Sequence, residues 1–209
     1  MLFVDRKYPA EPYPGARPGC SFVHRDGAGY PLSTARPRWR TELTPVLAYG
    51  SNACPEKITW LRRTMGLTGA VVVARARCHG MAAVWAAGFR ERDGARPATL
   101  AAAPGVEEWH AVWFATPDQL AVLDRCEGRG TRYDLVRLRE GAVRLEDGSP
   151  VEGALAYVGA AAERMPLLVD GEMVRMAVVP QRRARLLTGV PAASHGLRVE
   201  PVSRSACPG

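Results

Sequence analysis

The first candidate for a catalytic residue in this chain is Glu127. It directly precedes Gly128, a residue type that commonly ends helices, and the helix that leads to it has a strong start signal at Thr116-Pro117. The predicted helix places the Glu127 carboxylate at its C-terminal end, where the helix dipole favours the protonated form. A glutamate in that position is a candidate general acid or general base.

The second candidate is the stretch Pro45-Val46-Leu47-Ala48-Tyr49-Gly50-Ser51-Asn52. Its apolar half predicts a buried strand, Gly50 predicts a tight turn, and Pro55 lies in the first turn of a predicted helix. Such a junction leaves backbone N–H groups unpaired at the helix start, which suits an anion. A turn of this kind also occurs without any function, so both interpretations stay open. Asn52 is the only asparagine in the chain.

The remaining nucleophiles and metal ligands form no motif. The five cysteines are widely spaced, and none has the Cys-x-x-Cys spacing of a zinc site or redox centre. We therefore predict free thiols and neither a metal nor a cofactor. Cys126 has no histidine close to it in sequence, which argues against a nucleophile. His79 and His110 lack partners at metal-ligand spacing and are predicted to be packed side chains.

Composition is typical of a globular protein rather than a membrane protein. Of 209 residues, 47% are hydrophobic and 23% charged, and no apolar run approaches the roughly 18 residues of a membrane span. The start of the chain lacks the order of a secretory signal, so we expect a cytoplasmic location and no membrane partner.

The net charge of +7 comes almost entirely from arginine, since Lys7 and Lys57 are the only lysines. The densest groups are Arg36–Arg40 and Arg182–Arg185. Arginines spread in this way usually solvate a surface, and a nucleic-acid interface is the less favoured alternative. The sequence does not predict an oligomeric state.

Hydrophobic periodicity and the positions of proline and glycine divide the chain into an extension (1–44), a domain (45–190) and a tail (191–209). The extension is rich in proline and glycine and is predicted to wrap over the domain or stay mobile. The domain contains two or three helices and six or seven short strands, which predicts a mixed α+β fold. Strands of this number and length can form a small barrel. The strand predictions are 69–74, 80–89, 98–100, 109–115, 133–139 and 151–158.

Two segments together resemble the γ-glutamylcyclotransferase-like proteins, which include the γ-glutamylamine cyclotransferase-like members. Ala48-Tyr49-Gly50-Ser51-Asn52 is similar to the first strand and loop of that family. Leu123-Asp124-Arg125-Cys126-Glu127-Gly128, followed after four residues by Tyr133, is similar to its helix-to-strand element. The resemblance covers roughly residues 44–160.

The resemblance implies a small mixed β-barrel with flanking helices and a cavity at one end. It implies cyclisation of a γ-glutamyl group to 5-oxoproline with release of an amine or amino acid, without a cofactor. Glu127 would be the general acid/base, and Val46, Leu47, Ala48, Tyr49, Gly50, Ser51 and Asn52 would hold the substrate. Tyr133 and Tyr157 would line the cavity.

One departure from the family pattern concerns substrate choice. Family members often place a further tyrosine after the last barrel strand, and here no tyrosine follows Tyr157. The alternative to an enzyme is a module of the same fold that binds a small metabolite, or another protein, without turnover. In that interpretation Glu127 is a structural carboxylate paired with Arg125 or Arg129.

Overall fold

The structure, a computed structural model, describes residues 1–32 and 38–203 and consists mainly of strands. The strands are β1 (Phe3–Val4), β2 (Phe22–Arg25), β3 (Ala28–Pro31), β4 (Thr44–Ala48), β5 (Val71–Trp85), β6 (Ala98–Ala115), β7 (Tyr133–Arg137), β8 (Val143–Leu145), β9 (Leu155–Gly159), β10 (Leu167–Val169), β11 (Glu172–Met173), β12 (Val190–Pro191) and β13 (Glu200–Pro201). The α-helices are α1 (Trp39–Glu42), α2 (Pro55–Met65), α3 (Pro117–Glu127) and α4 (Gln181–Ala184). Short 3-10 helices span Asp5–Lys7, Ser51–Ala53 and Ala162–Arg164.

A long antiparallel pair, β5 with β6, forms the centre of the fold. The strands predicted at 69–74 and 80–89 fall largely in the single strand β5, and those at 98–100 and 109–115 fall in the single strand β6. Gly80 has a φ of +72° at a register shift in β5, which is the geometry of a β-bulge. Pro104 falls between the paired positions Ala102 and Glu107, so its missing N–H removes no bond between the two strands.

The strands form one ten-stranded sheet and one three-stranded sheet. The large sheet has the order β1-β3-β2-β5-β6-β4-β9-β7-β13, with β8 attached to β5, and β4 pairs with β9 in parallel. This arrangement confirms the predicted α+β class. In the described ranges the pairing runs as an open path from β1 to β13, so the predicted barrel is not closed.

Residues of the predicted N-terminal extension belong to the main sheet. Phe22, Val23 and His24 of β2 pair with Val73, Val72 and Val71 of β5, which buries Phe22 and His24. Residues 1–31 thus share the sheet and core of the domain, and the expected wrapping arm is partly built from strands. At the other end, β13 from the predicted tail pairs with β7.

Both faces of the central strands are buried. Along β6, Trp113 and Ala115 join a cluster that contains α2 and α3 residues, whereas Val112 and Phe114 join the cluster on the opposite face. This alternation is the period-2 geometry of a strand covered on both sides. Trp109 is one of several exposed positions, and it is 41% exposed beneath the guanidinium groups of Arg75 and Arg77.

Helix α3 begins as the sequence predicts. Thr116 is the N-cap, its hydroxyl accepts from the N–H of Gln119, and Gln119 completes a capping box. Gly128 ends the helix in the left-handed conformation with a φ of +66°. Among the described residues, no helix is long and apolar enough to cross a membrane.

Candidate functional site

The two stretches singled out in the sequence meet in space. Nδ2 of Asn52 donates a hydrogen bond to Oε1 of Glu127 at 2.9 Å, although 75 residues separate them. Asn52 lies in the 3-10 helix that follows β4, and Glu127 is the last residue of α3. The pair joins the turn after β4 to the C-terminal end of α3.

A cavity of about 610 Å³ opens beside this pair. Its volume is within the range of small-molecule sites. Its wall contains most of the predicted site residues, namely Leu47, Ala48, Tyr49, Gly50, Ser51, Asn52, Glu127, Tyr133 and Tyr157. The tertiary structure thus brings nine of the ten predicted positions to one space.

Val46 is the predicted site residue that does not line the cavity. Its side chain is 2% exposed and packs in the core cluster shared with α2 and α3. The reason is strand alternation, because Leu47 and Tyr49 belong to the cluster on the opposite face of β4. The side chain of Val46 therefore belongs to the core and not to the cavity wall, and a contact of its backbone with substrate stays a prediction.

A chain of hydrogen bonds fixes the end of α3. The Tyr49 hydroxyl donates to the carbonyl of Tyr157, and the Tyr157 hydroxyl donates to Oδ1 of Asp124 at 2.6 Å. Arg129 donates to the other oxygen of Asp124 at 3.0 Å. Asp124 lies one turn before Glu127, so these bonds position the helix end that carries the candidate acid/base.

The buried tyrosines remain protonated donors. Burial raises the pKa of Tyr49 and of Tyr133 well above the ordinary value. Burial, followed by the hydrogen bond to Asp124, also raises the pKa of Tyr157. None of these three hydroxyls can serve as a base near neutral pH, so Glu127 stays the candidate proton acceptor beside Asn52.

The N-terminal segment contributes part of the cavity wall, through residues that the sequence analysis did not single out. Tyr13 and Ala10 line the cavity, and Nη1 of Arg17 donates to the carbonyl of Tyr49 at 3.0 Å. The Tyr13 hydroxyl accepts from the N–H of Ala98 at 3.0 Å, and burial raises the pKa of Tyr13 to about 12. A tyrosine from residues 1–44 therefore enters the site, whereas none follows Tyr157.

The backbone N–H groups of Ser51 and Asn52 open the 3-10 helix after Gly50. No hydrogen bond within residues 1–32 and 38–203 uses either group. The Asn52 Oδ1 atom is also buried without a hydrogen-bond partner in this part of the chain. These groups are available to a polar ligand at the wall of the cavity.

Lys57 and Cys126 form a second pair beside Glu127. Nζ of Lys57 lies 3.4 Å from Sγ of Cys126 and 3.6 Å from the ring centre of Trp60. Burial lowers the pKa of Lys57, and burial and then the Glu127 charge raise the pKa of the Cys126 thiol. A thiol held in this way is a poor nucleophile. The sequence analysis did not predict this pair. The available signal was that Lys57, one of only two lysines, lies three positions before Trp60 on α2.

His110 is a packed residue, as the sequence predicts. Its Nε2 lies 3.2 Å from Oε2 of Glu108, and Arg175 donates to the other carboxylate oxygen at 2.6 Å. Burial opposes the charged form of Glu108, but hydrogen bonds from His110, Arg175 and the N–H of Ala83 outweigh it and lower the pKa of Glu108 to about 2. None of the three side chains lines the cavity. Within the described ranges, no three His, Cys, Asp or Glu side chains cluster as metal ligands.

The first arginine-rich group is only partly described, because Arg36 lies outside the described residues. Arg38 is 3.8 Å from Glu42, and Arg40 pairs with Asp147 at 2.6 Å. The guanidinium of Arg40 therefore has a carboxylate partner within the protein. The structure gives the nucleic-acid alternative no further support.

No protein-family model matches the sequence, and no curated protein matches it significantly. Some solved structures are similar to this protein at low identity. A protein named γ-glutamyl cyclotransferase and a human protein described as uncharacterized each match with 22% identity and a TM-score of 0.47, over 57% of this chain and 68% of theirs. A protein from Arabidopsis thaliana matches with 20% identity and a TM-score of 0.41, over 59% of this chain and 75% of its own.

A likeness of this size assigns neither a reaction nor a residue role to this chain.

Proposed function

We propose that this protein is a γ-glutamyl cyclotransferase that releases 5-oxoproline and an amine or amino acid, with Glu127 as general acid/base. The observation that carries the proposal is the hydrogen bond from Asn52 to Glu127 at the wall of one cavity. It joins a loop suited to holding the substrate to a carboxylate suited to moving protons.

The loop after β4 would hold the γ-glutamyl group. The N–H groups of Ser51 and Asn52 can donate to the substrate α-carboxylate or to the oxyanion that develops at the δ-carbonyl. Leu47 and Ala48 supply apolar contact for the methylene groups. Tyr133 donates to the carbonyl of Ala98 at 2.9 Å, so its role is to fix the cavity floor.

The reaction needs one proton removed and one delivered. The substrate α-amine forms a bond to its own δ-carbon, and the bond from that carbon to the leaving nitrogen breaks. Glu127 takes the proton that the α-ammonium group loses, and returns a proton to the leaving nitrogen as it departs. Proton count and charge then balance without a protein nucleophile, a metal or a cofactor.

Positioning would supply a large part of the rate enhancement. A γ-glutamyl chain in water samples many extended conformers in which the amine and the δ-carbonyl are far apart. A cavity that holds both ends together converts this search into a single attack geometry, which can contribute several kcal/mol. The hydrogen bonds that join Tyr49, Tyr157 and Asp124 would hold Glu127 in a fixed position relative to the substrate amine.

The test is an assay of 5-oxoproline release from a panel of γ-glutamyl amines and γ-glutamyl amino acids. Glu127→Gln keeps the size and the hydrogen-bonding ability of the side chain but removes its proton transfer, so we expect kcat to fall at least about 100-fold. Glu172→Gln is the matched control, because Glu172 is exposed on β11 and does not line the cavity. Equal activity in Glu127→Gln and the control would overturn the role of Glu127.

The same panel separates an enzyme from a binding module of the same fold. A module would be stabilised against thermal unfolding by a γ-glutamyl compound and would release no 5-oxoproline. The module interpretation pairs Glu127 with an arginine, but Arg125 donates to the carbonyl of Met65 and Arg129 pairs with Asp124. Glu127 lines the cavity instead, which supports the enzyme.

A further inference from the structure

The charges that line the cavity are unbalanced. Six cationic side chains face it, namely Lys57, Arg90, Arg92, Arg125, Arg132 and Arg164. The carboxylates among the described lining residues are Glu91, Glu127 and Glu163. Over the lining alone the excess is three positive charges. Asp93 and Glu11, outside the lining, pair with Arg90 and Arg92 and reduce the excess to one. A γ-glutamyl amine, which has one carboxylate and one ammonium group, would not offset any of it.

Several of these cations are held by neutral acceptors. Arg132 donates to the backbone carbonyls of Glu127 and Cys126, and Arg125 donates to that of Met65. Lys57 contacts a thiol and an indole ring. None of these three forms an ion pair within residues 1–32 and 38–203, so their charge remains available to a ligand.

Three of the cations lie together on the side of the cavity formed by α2. Lys57 and Arg92 both lie over the ring of Trp60, at 3.6 and 5.6 Å from its centre. Arg125 reaches the same helix through the carbonyl of Met65. We refer to Lys57, Arg92 and Arg125 as the cationic wall.

Exposure separates the two arginines of the cationic wall from the place proposed for the γ-glutamyl group, whereas Lys57 is buried. Tyr49, Tyr133 and Tyr157 are buried at the floor of the cavity, whereas Arg92 and Arg125 are exposed at its mouth. A substrate with its glutamyl end at Glu127 and the floor extends its leaving group towards the mouth. The leaving group then meets the guanidinium groups.

We infer that the preferred substrate has an anionic leaving group: an amine that carries a side-chain carboxylate or phosphate, recognised by the cationic wall. This inference rests on the proposed function and specifies its substrate class. Guanidinium groups bind either anion in a forked geometry, so the two sources share one chemistry.

The test compares pairs of substrates that differ in the charge of the leaving group's side chain. The two members of a pair are called charged and neutral by that side chain, since every member also has an α-carboxylate. γ-Glutamyl-glutamate is paired with γ-glutamyl-glutamine, and γ-glutamyl-phosphoserine with γ-glutamyl-serine, so the two pairs distinguish carboxylate from phosphate. We expect kcat/KM about tenfold higher for the charged member of at least one pair, from two or three partly exposed ion pairs. The preference should shrink as salt is raised, because exposed charges are screened.

Arg92→Gln and Arg125→Gln should each reduce the preference, measured as the ratio of kcat/KM within a pair, about threefold. Arg63→Gln is the matched control, because Arg63 is exposed on α2, carries the same charge and does not line this cavity. It should keep the full preference.

The outcomes separate this inference from the proposed function. Turnover of the neutral members, or of a γ-glutamyl diamine, as fast as the charged ones overturns the anionic leaving group and leaves the cyclotransferase intact. If no compound is turned over, the proposed cyclotransferase activity is wrong. The charge preference is then measured as the rise in unfolding temperature that each member of a pair produces on binding. Equal rises for charged and neutral members overturn it.

Discussion

The Asn52 amide and the Glu127 carboxylate are hydrogen-bonded at 2.9 Å between the turn after β4 and the end of α3. The bond fixes which carboxylate oxygen remains free to exchange a proton. Since a displacement of about 1 Å at a reacting group can cost about 100-fold in rate, the orientation of Glu127 is as important as its presence.

Asn52→Ala should lower kcat for 5-oxoproline release about tenfold or more, because Glu127 loses the donor that holds its carboxylate. The measurement is steady-state kinetics with the best γ-glutamyl compound, alongside thermal unfolding. A loss of activity matched by a large drop in unfolding temperature would indicate a folding role instead, and unchanged kinetics would contradict the prediction.

Tyr157→Phe tests the bonds that position α3. Removing the hydroxyl that donates to Asp124 at 2.6 Å should cost about 2 kcal/mol of unfolding free energy, as is typical of a hydrogen bond to a charged group. It should also lower kcat, because the helix end that carries Glu127 is less constrained. Tyr30→Phe, at an exposed tyrosine of β3, is the control and should change neither quantity. Denaturant unfolding of both variants checks this.

Glu108→Gln tests the buried carboxylate that pairs with Arg175 and is hydrogen-bonded to His110. Because removing one partner leaves the other charge without compensation, we expect a loss of about 3 kcal/mol at pH 7. Glu107→Gln is the control, since this neighbour forms only exposed pairs with Arg77 and His79 and should cost less than about 1 kcal/mol. Equal losses would contradict the distinction between the two carboxylates.

The Glu108 network also predicts a dependence of stability on pH. The pKa of Glu108 is about 2 in the folded protein, below its ordinary value of 4.5. A lowered pKa means that the stabilisation is fully present above pH 4.5 and is lost as the pH falls from 4.5 towards 2. Thermal unfolding between pH 7 and pH 2 should therefore show a smaller acid-dependent decrease in Glu108→Gln than in the parent protein.

Gly50 and Tyr13 should be energetically coupled. A Cβ atom at position 50 would lie 3.0 Å from the Tyr13 hydroxyl oxygen, closer than ordinary van der Waals contact. Gly50→Ala should therefore cost about 1 kcal/mol and displace Tyr13 from the cavity. In a Tyr13→Phe background the same change should cost less, because the crowding oxygen is absent. A double-mutant cycle of unfolding free energies measures this coupling, and strict additivity would contradict it.

Local patterns in the sequence were sufficient for the elements that carry the site. The capping box at Thr116 and the glycine at 128 determine where α3 begins and ends, and hence that Glu127 is its last residue. In the same way, the apolar run before Tyr49 determines β4 and the turn that follows it, and Pro55 determines the start of α2. These signals are readable because capping, proline geometry and strand alternation act between residues that are close in the chain.

Tertiary structure decided which of these residues share a space. The bond between Asn52 and Glu127 depends on the pairing of β4 with β9 and on the packing of α3, neither of which is encoded within a few residues. Val46 turns into the core because the face of a strand that is covered depends on its neighbours. Tyr13 reaches the cavity because β2 adds the N-terminal segment to β5. The cationic wall follows from the same cause, since Lys57, Arg92 and Arg125 come from separate elements that only the folded chain places side by side.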